Sequence, residues 1–369
     1  MKVVAIDGRM WGEEFTGIGK YLSEICPRIF KIFPKTEFRV FVPNNFSNFS
    51  SFSKNVKFFP THETIYSLSE QFSFAKKISQ AAKNGCAFFP HFNVPLFFRG
   101  KFMVTIHDLT ILRFPGKKMN KFWHRLGYRL VLKNAIKNSE KIITVSNFVK
   151  KEILHFFNIS DDKISVIYNG VDRKKFSNPN KKLVQKFQKK FGNCFLIAGN
   201  WRNHKNIPNA IFAFEKFCEM KVGDWNLVIT GKEDKNYYEV FKIAKKSIYS
   251  QKIFFSGFLD SDEIPAIFSA AGALVFPSFS EGFGLPAIEA FSAGIPVLAA
   301  KCSSLPEICG LAALFFDPKN TKDITDKMVQ IVKNKNLQNQ IITAGKNQLE
   351  KFSWKNAAQE LAENFETLM

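Results

Sequence analysis

The chain has 369 residues, enough for about two domains that each bury a hydrophobic core. Hydrophobic residues make up 46% of the chain and aromatic residues 15%, which excludes a disordered or fibrous protein. The 53 Lys and Arg residues outnumber the 32 Asp and Glu residues, so the formal net charge is +21. Residues 1–172 carry +13 of this charge and residues 173–190 carry +8, whereas residues 191–369 are neutral. This asymmetry predicts that the two halves of the chain meet different molecules.

Short apolar runs alternate with helical patterns along the chain, which predicts an α/β fold with two Rossmann-like, doubly wound domains. The runs lie at 3–6, 38–42, 102–106, 142–145, 164–167, 194–198, 225–229, 252–255, 273–276 and 297–299. We expect domains at 1–172 and 192–351, joined by a basic connector at 173–191. Ligands of such folds bind at the carboxyl ends of the strands, so the predicted site is a cleft between the domains.

The start of the chain and its cysteines indicate a compartment. The first residues form a short β-rich run without the apolar core of a signal peptide, and no run of about 18 uncharged apolar residues could span a membrane. The six cysteines show no CxxC pair and no metal-type spacing with histidine, as is typical of reduced thiols. We therefore expect a cytoplasmic protein, peripheral at the inner face of the cell membrane if it meets a membrane at all.

Two features follow strands of the predicted first domain. The run TGIGKY opens an amphipathic helix, where Gly17 would let the backbone approach a ligand and the helix N-terminus would favour an anion. The glycine pattern is incomplete for a dinucleotide fingerprint, and a simple tight turn explains it equally well. His107 follows the run at 102–106, so it is either a histidine facing the site or a structural one.

The most informative segment is FPSFSEGFGLPAIEA at 276–290, where a strand ends in a glycine-rich turn and a helix begins near Leu285. Backbone N–H groups from Gly282 to Leu285 would point at the ligand, and the positive end of the helix would favour phosphate. Glu281 and Glu289 flank this turn. Two carboxylates beside a helix N-terminus suit a ligand that carries both hydroxyl groups and phosphate.

This segment resembles the retaining glycosyltransferases of family four, which have the GT-B fold, and Glu281 and Glu289 form their E-x7-E element. Further matches are TGIGKY (16–21), TIHDL (105–109), ITVSNFVK (143–150), YNGVD (168–172), HKNI (204–207), AGIPVLAA (293–300) and SLPEICGLAALFFDP (304–318). FSWKNAAQELAENF (352–365) looks like the last helices of the family. The resemblance implies that residues 352–369 return to the N-terminal domain.

The resemblance also implies a nucleotide-diphosphate sugar bound mainly by the C-terminal domain. Lys205 matches the lysine that binds the diphosphate, and its ammonium would neutralise charge on the leaving group. Glu281 would contact the transferred sugar near the anomeric carbon, and Glu289 would hold the ribose hydroxyls. His107 matches the active-site histidine. We therefore predict His107, Lys205 and Glu281 as catalytic residues.

The resemblance also implies donor contacts for other residues, which occupy matching positions in the family's motifs. Phe283, Gly284 and Leu285 would bind hydroxyls and phosphate through backbone N–H groups, and Gly17 would let the N-terminal loop cover the diphosphate. The family commonly pairs its lysine with an arginine, but Asn200 and His204 occupy those positions here. We assign the role to Arg202, with His204 as the alternative.

No metal and no cofactor are expected beyond the nucleotide-sugar substrate. Asp260-Ser261-Asp262 has the letters of a DxD metal motif, but it precedes a helical run and is typical of a helix N-cap with acidic residues in the first turn.

The acceptor domain carries a second pattern. No acidic residue occurs from Phe114 to Ser139. Basic residues recur there every four positions beside apolar ones, which predicts a helix with a basic stripe that binds anionic lipid headgroups. The residues are Lys117, Lys121, Arg125, Arg129, Lys133 and Lys137, beside Phe122, Trp123, Leu126 and Leu130. The alternative is an ordinary surface helix whose apolar face belongs to the core.

Together these features predict a hexosyltransferase that extends a saccharide or lipid-linked saccharide in cell-surface polysaccharide or lipopolysaccharide synthesis. The motifs look like those of bacterial mannosyltransferases, which favours GDP-mannose modestly over a UDP-sugar. No nucleic-acid-binding module is present, so nucleic acid is not an expected partner. A non-catalytic nucleotide-sugar-binding relative is the main alternative, and a dinucleotide-dependent oxidoreductase is a weaker one.

Overall fold

The structure is a computed structural model that describes residues 2–12, 16–47, 52–116, 122–231 and 234–369. The chain forms two compact units. Unit 1 comprises Met1–Leu109, Lys118–Gly170 and Ser353–Met369, and unit 2 comprises Thr110–Lys117 and Val171–Phe352. The chain therefore passes from unit 1 into unit 2 and returns to unit 1 at its end.

Each unit contains a parallel sheet. In unit 1 the strand order is β3-β2-β1-β4-β5-β6-β7, and in unit 2 it is β10-β9-β8-β11-β12-β13. Neighbouring strands pair in parallel throughout. The strands are β1 (Val3–Asp7), β2 (Glu37–Pro43), β3 (Val56–Thr61), β4 (Cys86–Phe89), β5 (Lys101–Ile106), β6 (Lys141–Thr144), β7 (Ile164–Val166), β8 (Cys194–Ile197), β9 (Asn226–Thr230), β10 (Ile253–Gly257), β11 (Ala273–Phe276), β12 (Val297–Ala300) and β13 (Ala313–Phe316).

Helices connect the strands. A π-helical turn at Glu70–Phe74 leads into the second helix, and short 3₁₀ turns include Asn203–Lys205. The α-helices are α1 (Thr16–Ile32), α2 (Ala75–Ala81), α3 (Thr110–Arg113), α4 (Phe122–Asn138), α5 (Asn147–Phe156), α6 (Arg173–Ser177), α7 (Lys181–Phe191), α8 (Ile207–Glu219), α9 (Glu239–Lys246), α10 (Glu263–Ala270), α11 (Leu285–Ala293), α12 (Leu305–Cys309), α13 (Thr321–Lys333), α14 (Lys335–Gln348) and α15 (Trp354–Leu368).

The predicted fold class, two doubly wound α/β units with parallel sheets, is confirmed. All ten apolar runs become strands, but three strands were not predicted. β4 and β13 contain no β-branched residue, although such residues are the usual mark of a strand. β3 is an edge strand with little burial, so its sequence lacks a continuous apolar run.

The first and last helices of the chain share one core in unit 1. α1 buries Leu22 and Ile29 there, and α15 buries Leu361 and Phe365. The backbone approaches so closely at Gly170 that a Cβ atom would lie 2.1 Å from the backbone nitrogen of Trp354. The segment from residue 353 onward is thus part of the interior of unit 1.

The connections place helices on specific faces of the sheet in unit 1. Crossovers between parallel strands are right-handed, so steps in opposite directions along a sheet put their helices on opposite faces. The step from β1 to β2 places α1 on one face, where α15 joins it. The steps from β3 to β4, β4 to β5 and β5 to β6 run the other way and place α2, the segment 90–100 and α4 on the opposite face.

Candidate active site

The carboxyl edge of the sheet in unit 2 carries most of the predicted donor residues. Lys205 lies in the 3₁₀ turn that follows β8, and Glu281 lies in the loop between β11 and α11. β8 and β11 are neighbours in the parallel sheet, so the two loops emerge side by side.

The structure brings Lys205 and Glu281 into contact. Lys205 Nζ donates to Glu281 Oε1 at 2.7 Å, and the two side chains are 15% and 12% exposed. The ammonium also lies 5.8 Å from the centre of the Phe276 ring. A pair this sheltered is screened less by solvent and salt than a surface pair. The charge of Lys205 is therefore compensated by Glu281.

The loop after Glu281 presents its backbone to the edge of the sheet. The Phe283 side chain is buried and packs edge-on against Phe352, with ring centroids 5.6 Å apart. Gly284 has a φ of 112°, and a Cβ atom there would lie 2.9 Å from Leu305 Cδ2. α11 then begins at Leu285, as predicted, with Pro286 in its first turn. The first N–H groups of a helix have no intrahelical acceptor, so this end suits an anion.

Two serines that were not predicted tie down this loop. The buried Ser304 hydroxyl donates to the backbone carbonyls of Glu281 and Phe283, at 3.0 and 2.8 Å. The Ser303 hydroxyl accepts a hydrogen bond from the backbone N–H of Glu281 at 3.1 Å. Ser304 is the first residue of the motif SLPEICGLAALFFDP and Ser303 precedes it, but the motif did not indicate which loop they contact.

Asn206, also missed, fastens the loop that carries Lys205. It is buried, has a left-handed φ of 55°, and its amide donates to the carbonyls of Pro277 and Pro318, at 3.0 and 2.8 Å. The backbone N–H of Phe279 donates to the carbonyl of His204 at 2.7 Å. Loops after three strands are thus cross-linked around the Lys205–Glu281 pair.

The remaining donor residues are placed as follows. Glu289 is buried on α11, Gly282 is buried, and Leu285 is partly exposed. Arg202 is exposed; its carbonyl accepts from the backbone N–H of Lys205 at 2.8 Å. The structure gives these positions, and their roles in binding stay predictions.

The Asp260-Ser261-Asp262 segment lies at the start of α10, as predicted. Asp262 occupies the N-cap position and forms an ion pair with Lys175 at 3.3 Å. Within the described part of the chain, no three His, Cys, Asp or Glu residues are grouped so that they could hold a metal ion.

In unit 1, His107 follows β5 directly. Its Nε2 lies 2.8 Å from the carbonyl oxygen of Pro90, and a carbonyl can only accept, so Nε2 carries the proton and Nδ1 is the acceptor. The Tyr21 ring packs edge-on against the imidazole, with centroids 4.9 Å apart. Burial lowers the pKa of His107, although the Pro90 carbonyl and Asp108 oppose this shift. His107 is therefore a neutral imidazole near pH 7.

At the start of α1, Gly17 is exposed and Gly19 is buried. A Cβ atom on Gly19 would lie 2.0 Å from the carbonyl oxygen of Gly12, so Gly19 is the glycine that the turn itself requires. The predicted role of Gly17 over a diphosphate stays a prediction.

A buried polar network after β1 was not predicted. The Arg9 guanidinium contacts Asp7 Oδ2 at 2.7 Å and Glu70 Oε1 at 2.5 Å, and Asn93 donates to the same Glu70 oxygen at 2.6 Å. The Arg9 guanidinium also lies over the Phe74 ring at 3.6 Å. Burial raises the pKa of Glu70, and the nearby Arg9 opposes this shift. The network joins the end of β1 to the π-helical turn.

The predicted basic helix is α4, although Lys117 and Lys121 lie outside the described residues. The stripe residues Arg125, Arg129, Lys133 and Lys137 are exposed. Phe122, Trp123, Leu126 and Leu130 are 38% to 74% exposed, whereas the buried face consists of Tyr128, Leu132, Ala135 and Ile136. As the alternative of an ordinary surface helix expects, α4 buries an apolar face in the core, but Phe122, Trp123, Leu126 and Leu130 do not belong to it. Among the described helices, none is both long and apolar enough to cross a membrane.

Comparison with known proteins identifies the chain. Residues 180–348 match the model described as glycosyl transferases group 1, and residues 80–175 match the model of glycosyltransferase family 4. The chain belongs to the family-four glycosyltransferases with the GT-B fold. The family resemblance found in the sequence is thereby confirmed.

Two relatives and one solved structure are similar to this chain. An O-antigen chain mannosyltransferase of Escherichia coli is 26% identical over 258 residues, which cover 69% of this chain and 67% of that protein. An O-antigen chain mannosyltransferase of Salmonella typhimurium is 30% identical over 219 residues, 59% of this chain and 57% of that protein. The chain thus spans little more than half the length of the second relative. The Anabaena protein HepE in complex with UDP and glucose superimposes with a TM-score of 0.77 at 16% identity, over 100% of both chains.

Unit 1 of this glycosyltransferase should lose stability in acid through His91. Its Nδ1 is buried, no described residue gives it a hydrogen bond, and burial, reinforced by His107 and Arg9, lowers its pKa to about 3. The unfolded chain takes up a proton near the ordinary pKa of about 6.5, whereas the folded protein does not. Stability should therefore fall as the pH drops below about 6.5, by up to about 1.4 kcal/mol per pH unit from this group. Urea unfolding of wild type and His91→Phe at pH 7 and pH 5 should show the smaller loss in the variant; equal losses would contradict this account.

Ser304→Ala should loosen the loop that carries Glu281. The change leaves two carbonyls without their donor, so we expect a loss of about 1–3 kcal/mol in unfolding free energy. The control is Ser292→Ala, which removes a hydroxyl bonded to one backbone carbonyl, that of Arg173 at 3.2 Å, and should cost less. Denaturant unfolding would compare the two variants with wild type. An unchanged unfolding free energy in Ser304→Ala would contradict this account.

Proposed function

We propose that this protein is a retaining, metal-independent hexosyltransferase that uses a nucleotide-diphosphate sugar in cell-surface polysaccharide synthesis. The observation that carries the proposal is the sheltered Lys205–Glu281 pair at the carboxyl edge of the sheet in unit 2. A cation, a carboxylate and a helix N-terminus meet there, and a sugar diphosphate needs a partner for its phosphates and one for its hydroxyls.

Donor binding would exchange the partners of Lys205. The diphosphate carries more negative charge than one carboxylate, so it would compete with Glu281 for the ammonium. The freed Glu281 would then accept hydrogen bonds from the sugar hydroxyls. Glu289 would hold the ribose, and backbone N–H groups from Phe283 to Leu285 would bind the phosphate. Arg202 is exposed on the loop that carries Lys205 and would supply a second cation.

The reaction proposed is same-face transfer. The acceptor hydroxyl oxygen bonds to the anomeric carbon on the face from which the diphosphate leaves, and the bond from that carbon to the phosphate oxygen breaks. The hydroxyl proton passes to the departing phosphate oxygen. Lys205 and the end of α11 stabilise the negative charge that develops there, which is the work that a metal ion would otherwise do.

His107 would act in this reaction as a hydrogen-bond acceptor. Its Nε2 proton is committed to Pro90, so the free position is Nδ1. A neutral imidazole can orient a hydroxyl group but cannot donate a proton from that nitrogen. His107 is therefore proposed to position a sugar or acceptor hydroxyl.

The proposed sugar is mannose and the proposed donor is GDP-mannose. Two relatives support this choice because they are described as O-antigen chain mannosyltransferases. The proposed acceptor is a saccharide or lipid-linked saccharide at the cytoplasmic face of the membrane. The exposed basic stripe on α4 supports an anionic membrane surface as a partner, since each basic residue near such a surface contributes about 1 kcal/mol.

Replacing either member of the pair should abolish most transfer. We expect Glu281→Ala and Lys205→Ala to lower kcat/KM with GDP-mannose by about 10²–10³-fold, because each removes a charge close to the reacting bond. Lys205→Ala should also weaken GDP binding in a thermal-shift measurement, whereas Glu281→Gln should not, since it removes a competitor of the diphosphate.

The matched control is Lys216→Ala, an exposed lysine near the far end of α8. It should retain full activity. Equal transfer rates in wild type and Glu281→Ala would overturn the catalytic assignment. Nucleotide binding without any transfer or donor hydrolysis in the wild type would instead support a non-catalytic relative.

Neutralising the stripe should weaken membrane binding. Arg125→Gln together with Arg129→Gln should lower the partition onto vesicles rich in phosphatidylglycerol by about 30-fold, as about 2 kcal/mol is lost. The control is Lys31→Gln together with Lys355→Gln, which removes the same charge from exposed residues of α1 and α15 on the opposite face of the sheet. Sedimentation with vesicles would compare the two; an equal loss would point to net charge rather than to α4.

A further inference from the structure

A second apolar surface of unit 1 lies outside α4 and outside the predicted site. Phe72 in the π-helical turn and Phe97 between β4 and β5 stack on each other, with ring centroids 4.9 Å apart and planes at 27°. They are nevertheless 63% and 48% exposed, and Leu68, which precedes the π-helical turn, is 80% exposed. Among the described residues these two rings stack only on each other, so most of their apolar area lies in water, which is costly unless something covers it.

Backbone contacts hold this pair in place. Phe97 lies at the tip of a turn in which the N–H of Phe98 donates to the carbonyl of Pro95 at 3.0 Å. The N–H of Leu96 donates to Gln71 Oε1 at 2.8 Å, which fixes this turn to the π-helical turn. The two rings are therefore presented by a fixed scaffold rather than by a loose loop.

The chemistry around the pair matches that of α4. Lys76 and Arg99 are exposed, and each lies within four residues of one of the two phenylalanines. Right-handed crossovers place these segments and α4 on the same face of the sheet. Aromatic contacts connect these segments to α4. The ring centroids of Tyr66 and Phe92 lie 6.4 Å apart, and those of Phe92 and Tyr128 of α4 lie 4.9 Å apart. Two separate elements on the same side of the sheet thus present large apolar side chains beside basic ones.

We infer that Phe72, Phe97 and Leu68 form an apolar anchor that inserts into the interface of an anionic lipid bilayer beside α4. Aromatic rings and leucine at the level of the headgroups with flanking Lys and Arg are the arrangement that interfacial segments use. The inference deepens the membrane contact of the proposed function, and it does not depend on which sugar is transferred or on whether transfer occurs.

The anchor and the basic stripe should respond differently to salt. Electrostatic attraction is screened at high ionic strength, whereas insertion of apolar area is not. Wild type should therefore retain part of its binding to vesicles of 30% phosphatidylglycerol and 70% phosphatidylcholine, a composition of roughly cytoplasmic-leaflet charge, when NaCl is raised to about 0.5 M.

Phe72→Ser together with Phe97→Ser should lower vesicle binding about tenfold and reduce the salt-resistant part, to which the exposed apolar residues of α4 also contribute. The control is Phe212→Ser on α8 of unit 2, which removes a ring of comparable exposure, 41%, outside unit 1. It should bind vesicles as wild type does. If the double variant and the control bind vesicles equally at low and at high NaCl concentration, the anchor is overturned.

Leu68→Asp provides a second variant that does not touch the stack. Leu68 is 80% exposed, so this substitution should leave thermal unfolding unchanged while it lowers vesicle binding by a similar factor. Unimpaired binding by Leu68→Asp would remove Leu68 from the anchor. Donor hydrolysis without vesicles should be the same in all of these variants, so a failure of this inference is distinguishable from a failure of the proposed transferase activity.

Discussion

Parallel pairing imposes the constraint on which the rest of this molecule depends. Because every strand in a sheet points the same way, the loops that leave the strands meet at one edge, whatever their distance in sequence. In unit 2 this brings Lys205 next to Glu281, 76 positions further along the chain. In unit 1 it places His107, Pro90 and the network of Arg9 at the corresponding edge. The topology of each sheet thus brings these residues together at the carboxyl ends of its strands.

The second level of organisation consists of hydrogen bonds to loop backbones. Asn206 fixes the carbonyls of two other loops, and Ser303 and Ser304 hold the backbone around Glu281. None of these side chains needs to touch a ligand. Their effect is to keep the carboxylate and the start of α11 in one geometry, so that little reorganisation is left for the moment of reaction. The Lys205–Glu281 ion pair also keeps two sheltered charges satisfied.

Sequence reasoning recovered the features with a local signal. Short apolar runs predicted ten strands, and the glycine turn before Leu285 predicted the start of α11. β4 and β13 were not predicted, because these short strands of Ala, Cys, Leu and Phe contain no β-branched residue. The Lys205–Glu281 contact and the serine clamps could not be read from spacing, because they join loops that only the sheet brings together. The exposure of Trp123 was likewise undecidable, since the same helical pattern suits a core face and a surface face.

The return of the chain to unit 1 has a consequence for its synthesis on the ribosome. α15 supplies part of the interior of unit 1, yet it is translated after the whole of unit 2. The surface of the N-terminal sheet that receives Leu361 and Phe365 therefore stays uncovered until α15 has left the exit tunnel. Unit 2 is contiguous from residue 171 to residue 352 apart from one short segment, so it can complete its folding first. Unit 1 is thus begun first and completed last, and during that interval its uncovered apolar surface is available to chaperones.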